Sequence, residues 1–172
     1  MPSQPPEYID PIRLADARAV LQGQVAVSGM VRLAPSLCST QGAVDFELVF
    51  DVDLEGIRCV HGSLRTQLDV ICQRCLQPMK LPLEANVALG VVVSMQEAET
   101  LPSAYEPLVV GVVPVSLKEM VEDELLLVLP VAPMHPEQQC PAWQERVVEV
   151  QEEPAQEGKK NPFAVLAQLK KT

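Results

Sequence analysis

The chain has 172 residues, which is enough for one domain with a hydrophobic core plus a tail but too few for two typical domains. Its 13 basic and 23 acidic side chains give a net charge of −10, which excludes a surface that binds nucleic acid over its whole area. Aromatic residues make up 3 % of the chain, so a sheet that stacks RNA bases on aromatic rings is not expected.

The first half of the chain predicts a short helix followed by strands. Residues 12–22 carry apolar side chains at spacings that allow a short helix. Apolar and polar residues then alternate in four segments, which is typical of half-buried strands: residues 25–29, 44–50, 64–70 and 81–87. We therefore expect an α+β fold that is mainly antiparallel β, either a curled sheet or a small barrel.

The segment after these strands is expected to lie at the surface. Residues 96–107 are polar and contain proline, which predicts a surface loop. Residues 109–115 predict one more strand, placed at a sheet edge because Pro114 cannot donate a ladder hydrogen bond.

Residues 116–129 give the clearest helix signal in the chain. Ser116 and Glu119 have the spacing of a capping box, and Pro130 ends the helix. The predicted apolar stripe consists of Leu117, Met120, Val121, Leu125 and Val128. The acidic residues Glu119, Glu122 and Asp123 are expected to point outward, as an acidic face.

Glu124 falls within the apolar stripe of this helix, where an unpaired carboxylate would be costly to bury. One interpretation is structural: the side chain reaches the edge of the interface or pairs with backbone or an arginine such as Arg74. The other is that it orients a ligand of the cysteine and histidine residues described below.

The C-terminal part divides into a linker and a short helix after a globular domain at residues 1–140. Residues 141–160 are rich in Glu, Gln, Pro and Ala and predict a flexible acidic linker. Residues 161–172 predict an amphipathic helix with Phe163 and Leu166 on its apolar side and Lys170 and Lys171 at its end. Such a helix is shorter than the roughly 12–15 residues needed for marginal stability in water, so it must dock on its own domain or on a partner.

Charge follows the same division. Residues 1–90 carry a net charge of −3, residues 91–158 one of −11, and residues 159–172 one of +4. This asymmetry suggests two surfaces with different partners, although a solvated acidic face with a solubilising tail explains it equally well.

Two pairs of residues have the spacing of metal ligands. Cys72 and Cys75 form a Cys-x-x-Cys motif, and His135 and Cys140 lie downstream with four residues between them. Together they make a Cys3His set that is sufficient for a structural zinc site. Unmetallated structural thiols are the alternative. A thiol-redox site is the least favoured, because the motif is followed by a predicted strand instead of a helix.

The sequence contains no recognisable catalytic or phosphate-binding motif. The eight glycines are scattered, and no phosphate-binding loop or nucleophile motif is present. Cys38, Cys59 and His61 are interpreted as ordinary packing or surface residues. We therefore expect a binding or assembly protein, not an enzyme, with no small-molecule substrate.

The chain is also expected to act away from membranes. No apolar run approaches the roughly 18 residues of a membrane-spanning helix, and the first residues lack the pattern of a secretion signal. The expectation is a cytoplasmic protein whose five cysteines are reduced.

Several separated phrases recur in an order that resembles one bacterial family. They are CQRC at residues 72–75, LPSAYEP at 101–107, MVEDELLLVLP at 120–130, PMHPEQQC at 133–140 and NPFAVLAQLK at 161–170. The chain thereby resembles the YceD proteins. The resemblance implies a role in ribosome biogenesis, in support of the accumulation of large-subunit (23S) ribosomal RNA, and it supplies no catalytic residue.

Three hypotheses for such a role follow from the residues. In the first, an adaptor binds a basic ribosomal or assembly protein through its acidic face and engages RNA or a second protein through residues 161–172. In the second, ribosomal RNA or its precursor binds directly to a local basic patch made of Arg58, Arg65, Arg74 and Lys80. The third is an RNA-processing enzyme.

Overall fold

The computed structural model describes residues 5–142. In chain order these residues form β1 (Tyr8–Ile9), α1 (Pro11–Asp16), β2 (Val20–Ala26), β3 (Ala43–Val52), β4 (Arg58–Ile71), β5 (Pro78–Val92), α2 (Met95–Thr100), β6 (Glu106–Val109), β7 (Val115–Ser116) and α3 (Leu117–Val128). Short 3₁₀ helices lie at Val27–Gly29, Ala34–Ser36 and Glu137–Gln139. Nearly all of the predicted linker and the whole predicted terminal helix lie outside the described residues.

The main sheet has five strands in the order β2, β3, β4, β5, β6. Neighbouring strands are antiparallel except for β6, which runs parallel to β5. The strands β1 and β7 form a separate two-stranded ladder. The predicted α+β fold, mainly antiparallel, is confirmed, and within residues 5–142 the sheet is open instead of closed into a barrel.

Alternation along the strands decides which face of the sheet is buried. On β3, Val44, Phe46, Leu48 and Phe50 point inward and are each at most 4 % exposed, whereas the acidic residues between them face solvent. The same pattern continues on β4 and β5, which form a long hairpin paired from Cys59 with Gly90 to Ile71 with Pro78. The cysteine turn therefore lies at one tip of this hairpin.

The helix α3 packs on the inner face of the sheet, where it contacts β5. The Ser116 hydroxyl accepts a hydrogen bond from the Glu119 backbone N–H at 3.3 Å, so the predicted N-cap is present. Leu117, Met120, Val121 and Leu125 are buried, and each contributes about 1.5–3 kcal/mol through burial. Val128, which we also predicted to be buried, is 37 % exposed.

Four element boundaries differ from the sequence predictions. The predicted strand at residues 25–29 lies earlier in the chain, because β2 ends at Ala26 and Val27–Gly29 form a 3₁₀ helix. The predicted helix at residues 12–22 is confined to α1, because Arg18 has a left-handed φ of 50° and the chain then enters β2. The predicted loop at residues 96–107 contains α2 and the start of β6. The predicted strand at residues 109–115 is strand only at its two ends, since Val112 and Val113 are exposed between β6 and β7.

None of the helices within residues 5–142 is long and apolar enough to cross a membrane.

Candidate metal centre and acidic groove

The four predicted metal ligands lie together at the tip of the β4–β5 hairpin. The ligand atoms of Cys72, Cys75, His135 and Cys140 are all within 4.8 Å of one another. The Cys75 Sγ lies 3.4 Å from the His135 Nδ1. Cys72 and Cys140 are fully buried, and the other two are half-buried. We call these four residues the Cys3His cluster.

The turn after β4 fixes the first pair of ligands. The Cys72 N–H donates to the Gln77 carbonyl at 2.9 Å, and the Leu76 N–H donates to the Cys72 carbonyl at 2.9 Å. Leu76 has a left-handed φ of 59°, which reverses the chain within the few residues available. The two cysteine side chains consequently project from one tight loop.

The second pair arrives with the segment that follows α3. The Gln73 N–H donates to the Pro133 carbonyl at 2.8 Å, which holds this segment beside the hairpin turn. The His135 N–H points at the Cys72 Sγ at 3.4 Å, and the 3₁₀ helix Glu137–Gln139 then returns Cys140 to the same place. The cluster thus joins two parts of the chain about 60 residues apart in sequence.

Backbone dipoles favour negative charge on the cluster. Burial raises the pKa of the Cys72 thiol, but the backbone N–H groups of Cys75, His135 and Arg74 lower it to about 5 overall. Burial raises the pKa of the Cys75 thiol, and the neighbouring Cys72 and Cys140 sulfurs raise it further. One thiolate therefore forms readily, and further ionisation requires a cation to balance the charge.

The donor set fits a tetrahedral metal ion. Zinc bound to thiolates at about 2.3 Å and imidazole at about 2.0 Å separates the ligand atoms by roughly 3.4–3.8 Å. The separation of 3.4 Å between Cys75 and His135 and the overall limit of 4.8 Å match that requirement to within a small adjustment. Soft thiolates with one imidazole are donors that suit zinc.

The remaining cysteines lie apart from this cluster. Cys38 is exposed, and burial raises the pKa of the Cys59 thiol, which disfavours a reactive thiolate at Cys59. The His61 ring packs against Tyr105 with 5.6 Å between ring centroids. These contacts are ordinary packing, and no disulfide forms among the cysteines of the described residues.

The three residues of the predicted acidic face differ in their exposure to solvent. Glu119 and Asp123 are exposed, as predicted, although Asp123 pairs with the Arg32 guanidinium, and Glu122 is only 3 % exposed. Its carboxylate accepts hydrogen bonds from the backbone N–H groups of Arg32 at 2.6 Å and Leu33 at 2.9 Å. Glu122 is therefore removed from the surface, because it fastens residues 30–33 to α3.

Glu124 lies at the edge of the helix interface, in a groove between α3 and β6. The acidic residues lining this groove are Glu106, Glu119, Asp123 and Glu124, and none of its lining residues is basic. Burial raises the pKa of Glu124, and the charges of Glu106 and Asp123 raise it further. We call this the acidic groove; Glu106 was missed in the sequence because only the parallel pairing of β6 brings it beside α3.

The predicted basic residues do not form one patch. Arg58 pairs with Asp16 at 2.7 Å, Arg65 with Glu84 at 2.8 Å and Lys80 with Asp69 at 3.0 Å. Arg58 lies at the end of β4 opposite the cysteine turn, whereas the Arg74 guanidinium lies 3.7 Å from the Met134 sulfur beside the cluster. Strand register places Arg65 and Lys80 opposite the acidic residues Glu84 and Asp69, and Arg58 pairs with Asp16 of α1, so the cations are separated and neutralised individually.

The other predicted partner-binding residues, Phe163, Leu166, Lys170 and Lys171, lie outside the described residues.

The fold and site together define an α+β protein whose open sheet is joined, through a Cys3His cluster, to the segment after its longest helix. Residues 60–170 match the model of the family described as large ribosomal RNA subunit accumulation protein YceD. A relative from Haemophilus influenzae, named "Large ribosomal RNA subunit accumulation protein YceD", is 36 % identical over 167 residues, covering 96 % of this chain and 95 % of the relative. The chain belongs to the YceD family, so the resemblance noted in the sequence is confirmed. No solved structure is a significant match to it.

Proposed function

We propose that this protein supports the accumulation of large-subunit (23S) ribosomal RNA during ribosome biogenesis, as a cytoplasmic, non-catalytic adaptor. The observation that carries this proposal is the 36 % identity to the Haemophilus influenzae relative, which extends over nearly the whole length of both chains. The name of that relative states its role in accumulation of the ribosomal RNA subunit.

The acidic groove supports binding of a basic protein. Glu119 on α3 and Glu106 on β6 are exposed and face solvent on one side of the molecule, whereas Asp123 beside them pairs with Arg32. Ribosomal proteins that bind RNA are basic, and complementary charge accelerates and orients such an association. A ribosomal or assembly protein is therefore the expected partner.

The Cys3His cluster supports a structural metal, which we propose to be zinc. Cys72, Cys75, His135 and Cys140 would hold it, and the bound ion would supply a cross-link between two distant parts of the chain. All four donors are protein side chains, so a tetrahedral ion leaves no position for substrate. The cluster would thereby fasten the segment after α3 to the hairpin turn.

A thiol-redox function is the alternative that one observation favours, namely the lowered pKa of Cys72. Against it, the Cys72 sulfur is fully buried, and the motif lies in a turn between two strands. A redox protein would reduce a model disulfide substrate when Cys72 and Cys75 are both present, whereas the adaptor would leave that substrate unchanged.

An RNA-processing enzyme is the remaining alternative. It would convert precursor RNA in the presence of a divalent metal ion, whereas the adaptor would leave the RNA unchanged.

The adaptor proposal is tested by affinity capture from native lysate with identification of bound protein and RNA. We expect the double variant Glu106→Gln/Glu119→Gln to recover its basic partner about fivefold less well, the loss expected for two exposed ion pairs. The matched control Glu47→Gln/Glu55→Gln removes the same charge from exposed positions outside the groove and should retain the partner. Equal recovery by both variants would contradict the proposal.

A further inference from the structure

The acidic groove has an apolar floor as well as an acidic rim. Its volume is about 270 Å³. Leu89 and Met120 are buried at its base and Leu108 is half-buried beside them, while Leu127 at its lip is 67 % exposed. An exposed leucine among carboxylates, with no basic residue in the lining, is suited to a ligand that is both apolar and positively charged.

The chain contains one segment with these two properties. Residues 159–172 carry four lysines and no acidic residue, for a net charge of +4. Phe163, Leu166 and Leu169 are spaced three residues apart and share one side if the segment is helical. Because about ten residues are too few for a stable isolated helix, the segment requires a surface on which to dock.

We propose that residues 159–172 bind in the acidic groove of their own chain. Phe163 and Leu166 would cover the apolar floor, and the flanking lysines would meet the carboxylates of the rim. The Arg32 guanidinium already pairs with Asp123, which leaves Glu106, Glu119 and Glu124 to meet the four ammonium groups of the segment, so their charges are complementary.

The length of the connecting segment permits this contact. Leu89 at the groove floor lies eleven residues along β5 from Pro78, about 36 Å from the hairpin tip where Cys140 is held. Residues 143–158 span at most about 53 Å when extended and roughly 22 Å as a flexible chain. A tether of that length gives an effective concentration near the millimolar range, so even weak docking is populated.

The contact would make the terminal segment a competitor for the surface used in the proposed function. A basic partner would have to displace it, which restricts partners to those that bind the groove more tightly than the tethered segment does. The inference concerns the same groove as the proposed adaptor role. Its test uses the isolated protein, so failure of one idea leaves the other standing.

The test is zero-length cross-linking of the purified full-length protein with a carbodiimide, which joins a lysine amine to a carboxylate in direct contact. Mass spectrometry of the monomer should identify bonds between the terminal lysines and Glu106, Glu119, Asp123 or Glu124. The variant Phe163→Ser/Leu166→Ser keeps every charge but loses the apolar contact. The yield of cross-links between the terminal lysines and the groove carboxylates should therefore fall about tenfold. The control Ala164→Ser/Gln168→Ser changes the opposite side of the segment if it is helical and should keep the wild-type yield.

Three results would overturn the proposal. One is coupling of the terminal lysines to carboxylates outside the groove, such as Glu47 on the outer face of the sheet, at equal or greater yield. Another is an unchanged yield in the Phe163→Ser/Leu166→Ser variant, which would show that charge alone brings the groups together. The last is a predominance of bonds between chains in an equal mixture of isotopically light and heavy protein, which would assign the groove to a second copy.

Discussion

Substitution of Cys140 by serine measures what the Cys3His cluster contributes to stability. Cys140 is fully buried and is the last of the four donors in the sequence, so its loss weakens the link between residues 130–140 and the hairpin turn. Serine is a poor zinc ligand, so the variant is expected to lose the ion and, with it, the cross-link between Cys75 and His135. A cross-link that closes a loop of about 60 residues contributes roughly 14 cal/mol/K of loop-closure entropy, or about 4 kcal/mol at 25 °C.

The expected loss is therefore about 4 kcal/mol, which corresponds to a fall in Tm of roughly 8–16 °C for a domain of this size. Scanning calorimetry of the metal-loaded protein measures it, and elemental analysis should find one zinc ion per chain in the wild type. A chelator should lower the Tm of the wild type to that of Cys140→Ser and leave the variant unchanged. Cys38→Ser is the matched control, since Cys38 is exposed and lies outside the cluster.

Wild-type protein that contains no metal after purification from zinc-replete cells would refute this reasoning. A Cys140→Ser variant whose Tm lies within about 1 °C of the wild type would also refute it, because the cluster would then contribute almost none of the stability expected from loop closure.

Three further substitutions test other parts of the structure. Glu122→Ala leaves two backbone N–H groups without their acceptor and should lower the free energy of unfolding by about 2–4 kcal/mol in urea denaturation, whereas the exposed Glu119→Ala should change it by less than about 0.5 kcal/mol. Because the pKa of Glu124 is raised in the folded protein, the folded state binds more protons than the unfolded chain as pH rises above the ordinary glutamate pKa. Its contribution to stability is therefore lost across that window, and Glu124→Gln should be more stable than wild type at pH 7 but not at pH 4. Gly62→Ala places a Cβ 2.0 Å from a carbonyl oxygen of β3 and should cost about 3 kcal/mol, whereas Gly111→Ala meets open space and should be tolerated in the same denaturation assay.

Local patterns in the sequence were sufficient for the main strands and for α3. Alternation placed Phe46 and Leu48 on the inner face, and the capping box with Pro130 set both ends of the helix. Both signals depend on residues a few positions apart, so they need no knowledge of the fold. The four cluster residues were also predicted together, because the spacing of the two residue pairs is that of side chains that bind one metal ion.

Contacts between distant segments could not be predicted in the same way. The helical pattern places Glu122 beyond the apolar stripe, and it is buried because residues 30–33 cover that side of α3. The parallel pairing of β6 with β5 depends on the crossover through α2, which no local alternation indicates. The predicted basic patch failed to form for a related reason, since ion pairs such as Arg65 with Glu84 depend on strand register.

The distance in sequence between the two halves of the cluster also orders events during synthesis. The hairpin that carries Cys72 and Cys75 leaves the ribosome and can pair long before His135 and Cys140 have been translated. Binding of the proposed zinc ion by all four residues would thus wait until residues 135–140 have been synthesised. A cell short of zinc would accumulate chains with a finished sheet and an unfastened segment after α3, and protease sensitivity at residues 130–140 would report how much of the pool had been left without its ion.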